Sequence, residues 1–439
     1  MTNNERALLV NPWIFDFKAY DFWMKPLGLL YVASILRQND WDIDYIDCLD
    51  RYHPTVIKRI TKMPVVDQYG RGKFFAEEIE KPEIYNGIQR KYKRYGMPPD
   101  ILHEILDNLV NPDWIFVTSI MTYWYPGVFN VIKILKAHFP KAPVVLGGIY
   151  ATLCHEHAKK FSGADYVIPG DAEQHLNTIL PEVKPISFLS LPYPSFDLYN
   201  KLDYACVLTS RGCCFQCSYC AVPNLTPGFI FRSVKSVIEE IEYYQSLGVK
   251  NITFYDDALL ANPNFSLILD EIINRKIKLQ FHTPNGLHPR FFTQEVADKM
   301  YIAGFKTIYL SLETIDSDIH KSIDNKVEVQ EFIRAIGYLK KSGFSNSQIH
   351  AYLLIGLPEI TSRHARESID FVNHLGITSH LAEYSPIPGT SGFTQLGFNE
   401  NTDPLLHNNT IFPALTEQQL KEMQEIKTYL SKLRLIPLN

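Results

Sequence analysis

The sequence lacks any apolar run of the roughly 20 residues that a membrane-spanning helix needs. The apolar segment 7–10 near the amino terminus is too short for the core of a signal peptide, so we expect the protein in the cytoplasm and no membrane partner. An excess of positive charge is also missing, because 48 acidic residues outnumber 43 Lys and Arg residues. Nucleic-acid-binding proteins are normally basic overall, so the composition argues against nucleic acid as a partner.

Cysteine is scarce outside one short segment. Of the seven cysteines, four fall within eight residues, at Cys213, Cys214, Cys217 and Cys220. Cysteines distributed along a short secreted chain would indicate a disulfide framework. A tight group of cysteines in a reducing compartment instead indicates metal ligation or redox chemistry. The sequence therefore predicts a metal or cluster site in this segment.

The chain alternates strand-like and helix-like segments in two blocks, which predicts an α/β protein. We predict that residues 1–180 form a doubly wound, Rossmann-like domain with a mostly parallel sheet. Residues 51–110 interrupt its alternation and are expected to be an insertion. Four prolines within residues 181–203 predict a linker between the two blocks.

The second block, residues 204–395, contains six strand candidates with helices between them. We expect the strands to begin near Tyr204, Asn251, Leu279, Thr307, Gln348 and His380. Six such units are too few for the usual closed barrel of eight, so the pattern predicts a partial (β/α)6 TIM-type barrel. Residues 396–439 are predicted to be a helical carboxyl-terminal extension.

The grouped cysteines follow the pattern Cys-x3-Cys-x2-Cys directly after a predicted strand. Closely spaced thiolates allow one loop to bind three corners of an iron–sulfur cube, and the fourth iron is then open to a small molecule. The alternative is a structural zinc site with Cys206 or Cys214 as fourth ligand. Structural zinc sites usually combine two separated Cys-x2-Cys pairs, so this alternative is less favoured.

This motif and its strand context resemble the radical S-adenosylmethionine (SAM) superfamily. The resemblance implies that Cys213, Cys217 and Cys220 bind a [4Fe–4S] cluster and that SAM binds the open iron. One electron from the cluster would then cleave SAM to a 5′-deoxyadenosyl radical. In such an enzyme the electron comes from a donor such as flavodoxin or ferredoxin.

The resemblance also implies a SAM pocket at the carboxyl ends of the predicted strands, where barrel active sites lie. Adjacent acids after the second strand suit the SAM ammonium group, and an acid inside the apolar fourth strand is costly unless it is paired. A glycine after the fifth strand allows backbone to approach a flat ring. The candidate SAM-binding residues are Tyr255, Asp256, Asp257, Ser311, Glu313, Gly356 and Glu359.

Residues 1–180 resemble the cobalamin-binding domain that often precedes the radical SAM domain. The resemblance is carried by the segments 25–30, 118–125, 147–148 and 170–173. The implied cobalamin-binding residues are Ser119, Met121, Thr122, Tyr123, Gly147 and Gly148. We expect the aromatic run 123–125 to be exposed at the sheet edge, where a ligand would cover it.

One departure concerns the cobalt ligand, because the Asp-x-His-x-x-Gly motif of classical cobalamin enzymes is absent from this block. Several relatives bind cobalamin without a protein histidine, so we still expect cobalamin as a cofactor. The alternative is a degenerate domain that binds nothing.

These features predict a radical SAM enzyme that, with cobalamin, methylates an unactivated carbon of a small-molecule or peptide substrate. The alternatives are a cobalamin-associated rearrangement or ring closure, and an iron–sulfur protein that only transfers electrons. Electron transfer alone would not need the polar residues of a SAM pocket. A methylthiotransferase is disfavoured, because the first block has only Cys48 and Cys154 for a second cluster. We expect His282, His350 and His380 to be core or surface residues.

Overall fold

A computed structural model describes residues 4–323 and 326–433. The chain divides into two compact units. The first unit contains the residues up to 205 together with 399–406, and the second contains residues 206–398 and those from 407 onward. In the described part of the chain, no helix is both long and apolar enough to cross a membrane.

The first unit is built on a five-stranded parallel sheet. From one edge to the other, its strands are Asp42–Asp47, Arg6–Asn11, Trp114–Val117, Val144–Leu146 and Tyr166–Val167. Residues of the strand Arg6–Asn11 alternate between two apolar clusters, because successive side chains of a strand point to opposite faces. Both faces are therefore covered, as a doubly wound sheet requires.

Helices cover the two faces of this sheet. Leu27–Gln38 packs on the face to which Ala7 and Leu9 point. Pro99–Asp107 and Tyr125–His138 pack on the opposite face. Short helices complete the unit at Pro54–Arg59, Ile149–Leu153, His155–Phe161 and Ala172–His175.

The segment predicted as an insertion, 51–110, lies in the chain between the strands Asp42–Asp47 and Trp114–Val117 and contributes two strands to a second, antiparallel sheet. The strand Ile14–Asp16 pairs antiparallel with Lys93–Tyr95, which also pairs antiparallel with Ala76–Glu78. The same segment ends in the helix Pro99–Asp107, which buries Ile101 and Leu102 in the main core. Part of the insertion is therefore integral to the first unit.

The segment predicted as a linker, 181–203, packs on the first unit. The Ser34 hydroxyl donates a hydrogen bond to the carbonyl of Tyr193 at 2.6 Å. Arg37 pairs with Asp197 at 2.7 Å. The proline-rich composition predicted a linker between the two blocks, but it carried no information about these side-chain contacts.

The second unit confirms the predicted parallel sheet of six strands, which lie side by side in chain order. The strands are Ala205–Val207, Asn251–Phe254, Gln280–Leu287, Phe305–Glu313, Ile349–Ile355 and Thr378–Glu383. The helices that connect them are Val234–Ser246, Phe265–Asn274, Gln294–Ala303, Ser317–Ile323, Val329–Ser342 and Ser362–His374. Together they form the predicted TIM-type βα arrangement.

Local sequence explains where several of these helices begin and end. The hydroxyls of Ser233 and Thr293 accept hydrogen bonds from backbone N–H groups of the first helical turn. Gly304 ends the helix Gln294–Ala303 and Gly343 ends the helix Val329–Ser342, with φ values of +99° and +109°, which favour glycine. Hydroxyl side chains therefore fix where these helices begin, and glycines fix where they end.

The predicted carboxyl-terminal extension, 396–439, divides between the two units. Asp403 belongs to the first unit and accepts a hydrogen bond from Tyr125 at 3.1 Å. The helix Glu417–Leu433 belongs to the second unit, where its Glu422 accepts a hydrogen bond from Ser362 at 2.8 Å. Residues 434–439 lie outside the described residues.

Candidate active site

The cysteine loop leaves the end of the strand Ala205–Val207 through a short antiparallel ribbon. Ser210–Gly212 pairs with Phe229–Phe231 in this ribbon. Gly212 has φ of +85°, and a Cβ atom there would lie 2.1 Å from the carbonyl oxygen of Gly228. Glycine is therefore required immediately before Cys213, so that the chain can turn sharply into the loop.

The cysteines of the loop differ in exposure. Cys213, Cys217 and Cys220 are partly buried, Cys214 is exposed, and Cys206 is fully buried in the preceding strand. Burial raises the pKa of the Cys213 thiol to about 11 and also raises that of Cys220. The exposure pattern separates the three cysteines of the predicted ligand set from the other two.

Among residues 4–323 and 326–433, no three His, Cys, Asp or Glu side chains converge closely enough to hold a single metal ion. This observation does not bear on a cluster. The thiolates of an iron–sulfur cube bind different iron atoms, so they lie farther apart than ligands of one ion.

Contacts within the second unit hold this loop. The Phe215 N–H group lies 3.4 Å from the sulfur of Cys213, and the Phe215 ring stacks on His288 with centroids 4.8 Å apart. The Ser218 N–H group donates to the carbonyl of Ile323 at 2.8 Å. The Ser391 hydroxyl donates to the carbonyl of Ser218 at 3.0 Å. The loop is thus attached to three other segments of the same unit, to one by ring stacking and to two by hydrogen bonds.

Asp256 ties the start of the cysteine loop to the second strand. Its carboxylate accepts hydrogen bonds from the backbone N–H groups and the hydroxyls of both Thr209 and Ser210, at 2.6–3.1 Å. Burial raises the pKa of Asp256, and these hydrogen bonds act in the opposite direction. We expected Asp256 to bind SAM, but the structure gives its carboxylate a set of partners within the protein.

Asp257 is the acid of this pair that lies near the cysteines. Burial and the neighbouring charge of Asp256 raise the pKa of Asp257 to about 7, while the N–H group of Gly212 lowers it. The negative charge of Asp257 in turn raises the pKa of both Cys213 and Cys220. An acid at this position suits an ammonium group bound beside the loop.

Tyr255 contributes its backbone to this strand end. Its carbonyl accepts a hydrogen bond at 2.9 Å from the side chain of Asn285, which lies on the neighbouring strand. The Asn285 amide also lies 3.2 Å from the carbonyl of Asp256. Asn285 therefore fixes the backbone that carries the two acids.

The fourth strand ends in an irregular backbone that orients Glu313. The pairing register with the fifth strand shifts between Ser311 and Glu313, and Glu313 has φ of +64°. The Glu313 carboxylate is buried and lies 2.6 Å from the ammonium group of Lys326. The expectation that this acid must be paired is therefore met by a cation of the chain itself.

Ser311 is buried beside the third strand. A Cβ atom on Gly286 would lie 2.2 Å from the Ser311 hydroxyl oxygen, so the two residues are in close contact. Glycine at position 286 therefore allows the third and fourth strands to approach each other where the predicted SAM residues lie.

Two further predicted SAM residues follow the fifth strand. Gly356 has φ of +92°, and a Cβ atom there would lie 2.8 Å from the ring of Phe412. Glycine is therefore required at position 356 by the backbone and by packing inside the second unit. Glu359 is exposed. Burial raises the pKa of the nearby Tyr384, and the charge of Glu359 adds to this increase.

Sequence reasoning missed several residues that shape this site. Thr209 and Ser210 directly precede the cysteines, and their position was the available signal. Lys326 stands in no recognisable pattern, and its role emerges only from its contact with Glu313.

His282 is a buried core residue, which was one of the two expected positions, and its ring nitrogens contact Thr307 and Asn251.

His350 and His380 lie on neighbouring strands with ring nitrogens 3.2 Å apart. Tyr309 stacks on His350 with ring centroids 4.4 Å apart. Both histidines are only partly buried, so they are intermediate between the core and surface positions that we expected.

In the first unit, the carboxyl ends of two neighbouring strands meet at Ser119 and the paired glycines. The Ser119 hydroxyl donates to the carbonyl of Gly147 at 2.7 Å. Gly148 has φ of +94°, and a Cβ atom there would lie 2.2 Å from the carbonyl oxygen of Ser119. At Gly147 the nearest atom to such a Cβ atom, an oxygen of Ile168, lies 4.0 Å away. Gly148 is thus required by local packing, whereas Gly147 borders open space.

The expectation of an exposed aromatic run after Ser119 is wrong. Tyr123 and Trp124 are buried, and they pack in a cluster that includes Ile14. The Trp124 indole donates a hydrogen bond to Asp16 at 2.8 Å. These aromatics are covered by the antiparallel sheet of the insertion, which the sequence pattern did not place here. Of the predicted cobalamin residues in this segment, Thr122 is also buried and Met121 is partly exposed.

Two family models match this chain. The radical SAM superfamily matches residues 207–372, and the B12 binding domain matches residues 89–180. The first match contains the cysteine loop and four of the six barrel strands in full, and the second contains Ser119 and both glycines.

Curated relatives include an uncharacterized methyltransferase of Pyrococcus horikoshii. It is 26% identical over 406 residues, which cover 83% of this chain and 77% of the relative. A tRNA-2-methylthio-N(6)-dimethylallyladenosine synthase of Anaplasma phagocytophilum is 24% identical over 230 residues, which cover 49% of this chain. The chain spans about half the length of that synthase, 51%.

Solved structures share the fold. The radical S-adenosylmethionine methyltransferase TsrM of Kitasatospora setae, with cobalamin and a [4Fe–4S] cluster bound, has a TM-score of 0.65 at 17% identity. The alignment covers 90% of this chain and 78% of TsrM. The cobalamin-dependent S-adenosylmethionine radical enzyme OxsB has a TM-score of 0.57 at 14% identity, with 97% of this chain and 56% of OxsB covered.

Proposed function

Because this chain is a radical SAM enzyme with a B12-binding domain, we propose that it transfers a methyl group to an unactivated carbon of a small-molecule or peptide substrate. Its cofactors are a [4Fe–4S] cluster, SAM and cobalamin. The observation that carries the proposal is the presence of both domains in one chain. The methyltransferase TsrM, which shares the fold, also binds both cobalamin and a [4Fe–4S] cluster. A radical domain alone would not favour methyl transfer over other radical reactions.

The proposed cluster ligands are Cys213, Cys217 and Cys220. Their partial burial protects a cluster from bulk water, while the exposed Cys214 is left out of the ligand set. When bound, the cluster supplies the electron that cleaves SAM. The role of Asp256 is to hold the first turn of the loop, since its carboxylate binds Thr209 and Ser210.

The proposed SAM pocket lies at the carboxyl ends of the second, fourth and fifth strands. Asp257 would hold the ammonium group. Tyr255 would support Asp257 through its backbone, whose carbonyl accepts a hydrogen bond from Asn285. Ser311 and Glu313 would contact the ribose or the amino acid. Asp256 would act on the cysteine loop through its carboxylate, and Gly356 through its packing on Phe412. The exposed Glu359 remains a proposed contact of SAM.

We propose that cobalamin binds at the carboxyl ends of the first unit's strands, where open parallel sheets bind ligands. Gly147 borders open space at this edge, which would accept part of the nucleotide tail. Ser119 and Gly148 shape the edge through their mutual packing, and Met121 is partly exposed beside it. Thr122 and Tyr123 support the segment from within. No protein histidine is proposed as a cobalt ligand.

The proposal includes a reducing, cytoplasmic setting and a one-electron donor such as flavodoxin or ferredoxin. Radical SAM enzymes in general take electrons from an external donor. The grouped, partly buried thiols would be vulnerable to oxidation outside a reducing compartment.

The test is anaerobic reconstitution of the full chain with iron, sulfide and cobalamin, followed by reduction in the presence of SAM. Reductive cleavage forms 5′-deoxyadenosine. Methyl transfer from SAM also forms one S-adenosylhomocysteine per methyl group. We expect both products. Formation of 5′-deoxyadenosine without S-adenosylhomocysteine would instead favour the alternative, a rearrangement or ring closure, and formation of neither would contradict the proposal.

A further inference from the structure

Lys326 is a buried cation next to the cysteine loop. Its ammonium group lies 2.6 Å from the Glu313 carboxylate, and the two side chains are only 8% and 7% exposed. The same ammonium group donates to the hydroxyl of Tyr219 at 2.7 Å. Tyr219 stands between Cys217 and Cys220. One side chain therefore touches both the end of the fourth strand and the cysteine loop.

A buried ion pair such as Glu313–Lys326 is weak evidence for a role in stability alone. Moving both charges out of water is unfavourable, and apolar residues of similar size often stabilise a fold equally well. Glu313 also adopts the left-handed backbone region, with φ of +64°, which is unfavourable for a residue with a side chain. Strained backbone and buried charge at the same position are typical of functional sites.

A second contact joins the same two parts of the unit. The Ser218 N–H group, next to Tyr219, donates to the carbonyl of Ile323 at 2.8 Å. Ile323 ends the helix that follows the fourth strand. Ile323 and Lys326, which both follow the fourth strand in the chain, therefore each contact the cysteine loop.

We propose that Lys326 is a positioning residue that couples the cysteine loop to Glu313. It holds Tyr219 so that the loop keeps one geometry, and it holds the Glu313 carboxylate in the orientation required for SAM. Loss of this cation would leave the Glu313 charge buried without its partner and would release the Tyr219 hydroxyl. This inference rests on the proposed function, because it concerns the same cluster and SAM pocket.

The test uses the full chain, reconstituted anaerobically, in the variants Lys326→Met, Lys326→Arg and Tyr219→Phe. Two readouts are measured for each protein: the SAM affinity, from the change that SAM causes in the paramagnetic spectrum of the reduced cluster, and the rate of iron loss to a chelator. Lys321→Met is the matched control, because Lys321 lies nearby in an exposed pair with Asp318, with side chains 69% and 90% exposed.

We expect Lys326→Met to lower the SAM affinity about tenfold or more, as loss of a charge-assisted contact does, and to accelerate iron loss. Lys326→Arg keeps a cation and should restore most of the affinity. Tyr219→Phe should accelerate iron loss with little change in affinity, and Lys321→Met should match the wild type. This separation of the two readouts distinguishes positioning from a general loss of stability.

Wild-type SAM affinity and iron loss in Lys326→Met would overturn the inference while leaving the proposed function intact. The inference is also wrong if Lys326→Met and Tyr219→Phe change both readouts in the same proportion. If Lys326→Met does not fold, Lys326→Arg and Tyr219→Phe carry the comparison. A wild-type protein that holds no cluster would instead remove the proposed function.

Discussion

The Asp256 carboxylate accepts two hydrogen bonds from Thr209, one from the backbone N–H group at 3.0 Å and one from the hydroxyl at 2.6 Å. Ser210 makes the equivalent pair of contacts to the same carboxylate. This carboxylate therefore fixes the two residues that enter the cysteine loop, whereas Asp257 is the acid that lies near the cysteines. The two adjacent acids therefore have different surroundings.

The first prediction separates these two acids. Asp256→Ala should lower the iron content of the reconstituted protein, because buried donors left without an acceptor cost about 1–3 kcal/mol each. Asp257→Asn should keep the iron but weaken SAM binding, since it removes the charge that faces the ammonium group. Iron analysis and SAM titration measure the two effects. Equal iron content in both variants would contradict the assignment of Asp256.

The second prediction concerns the cluster ligands. Alanine at Cys213, Cys217 or Cys220 should abolish both the cluster absorbance and the cleavage of SAM. Cys214→Ala should preserve both, because Cys214 is exposed. Cys206→Ala should preserve them as well and should lower stability only slightly, by about 1 kcal/mol for a small buried side chain. Damage from Cys214→Ala comparable to that from Cys217→Ala would show that the ligand set is wrong.

The third prediction uses the two glycines of the first unit as a matched pair. Gly147→Val should lower the amount of cobalamin retained after desalting without lowering the melting temperature, because position 147 borders open space. Gly148→Ala should lower the melting temperature itself, because its Cβ atom would overlap the carbonyl of Ser119 and its φ is +94°. The iron content should be unchanged in Gly147→Val. Full cobalamin retention by this variant would place the cofactor elsewhere.

The fourth prediction concerns pH and the buried Asp50. Burial raises the pKa of Asp50 to about 6, although the charge of Lys25 lowers it. The unfolded chain releases this proton near pH 4, so the folded state binds the proton more tightly. The contribution of Asp50 to the free energy of unfolding is therefore present at low pH and is lost as pH rises through about 6.

Asp50→Asn removes this titration while retaining an oxygen that accepts from the Tyr52 N–H group. Urea unfolding of the cofactor-free protein between about pH 4 and pH 7 measures the effect. Relative to Asp50→Asn, the wild type should lose about 3 kcal/mol over that range, an order-of-magnitude value set by the difference between the two pKa values. Parallel pH profiles of the two proteins would contradict the prediction.

The burial of Tyr123 and Trp124 shows the limit of reading a cofactor site from an aromatic run. The run follows a strand end, where a ligand would be expected, but the antiparallel sheet of the insertion covers it. Whether an aromatic ring meets a ligand or another part of the chain depends on contacts between segments far apart in sequence. Here Trp124 contacts Asp16, which lies 108 residues away.

The sequence by itself determined the cysteine motif, the six βα units of the second unit and the paired glycines, because these features depend on spacing and on local backbone preference. Cysteines separated by only two or three residues lie on one loop in any fold. The periods of strands and helices are likewise properties of short segments. Only the tertiary structure decided which side chains face each other across strands. It paired Glu313 with Lys326, turned Asp256 toward Thr209 and Ser210, and attached residues 181–203 to the first unit. Such partners are brought together by strand order and register, which no local pattern encodes.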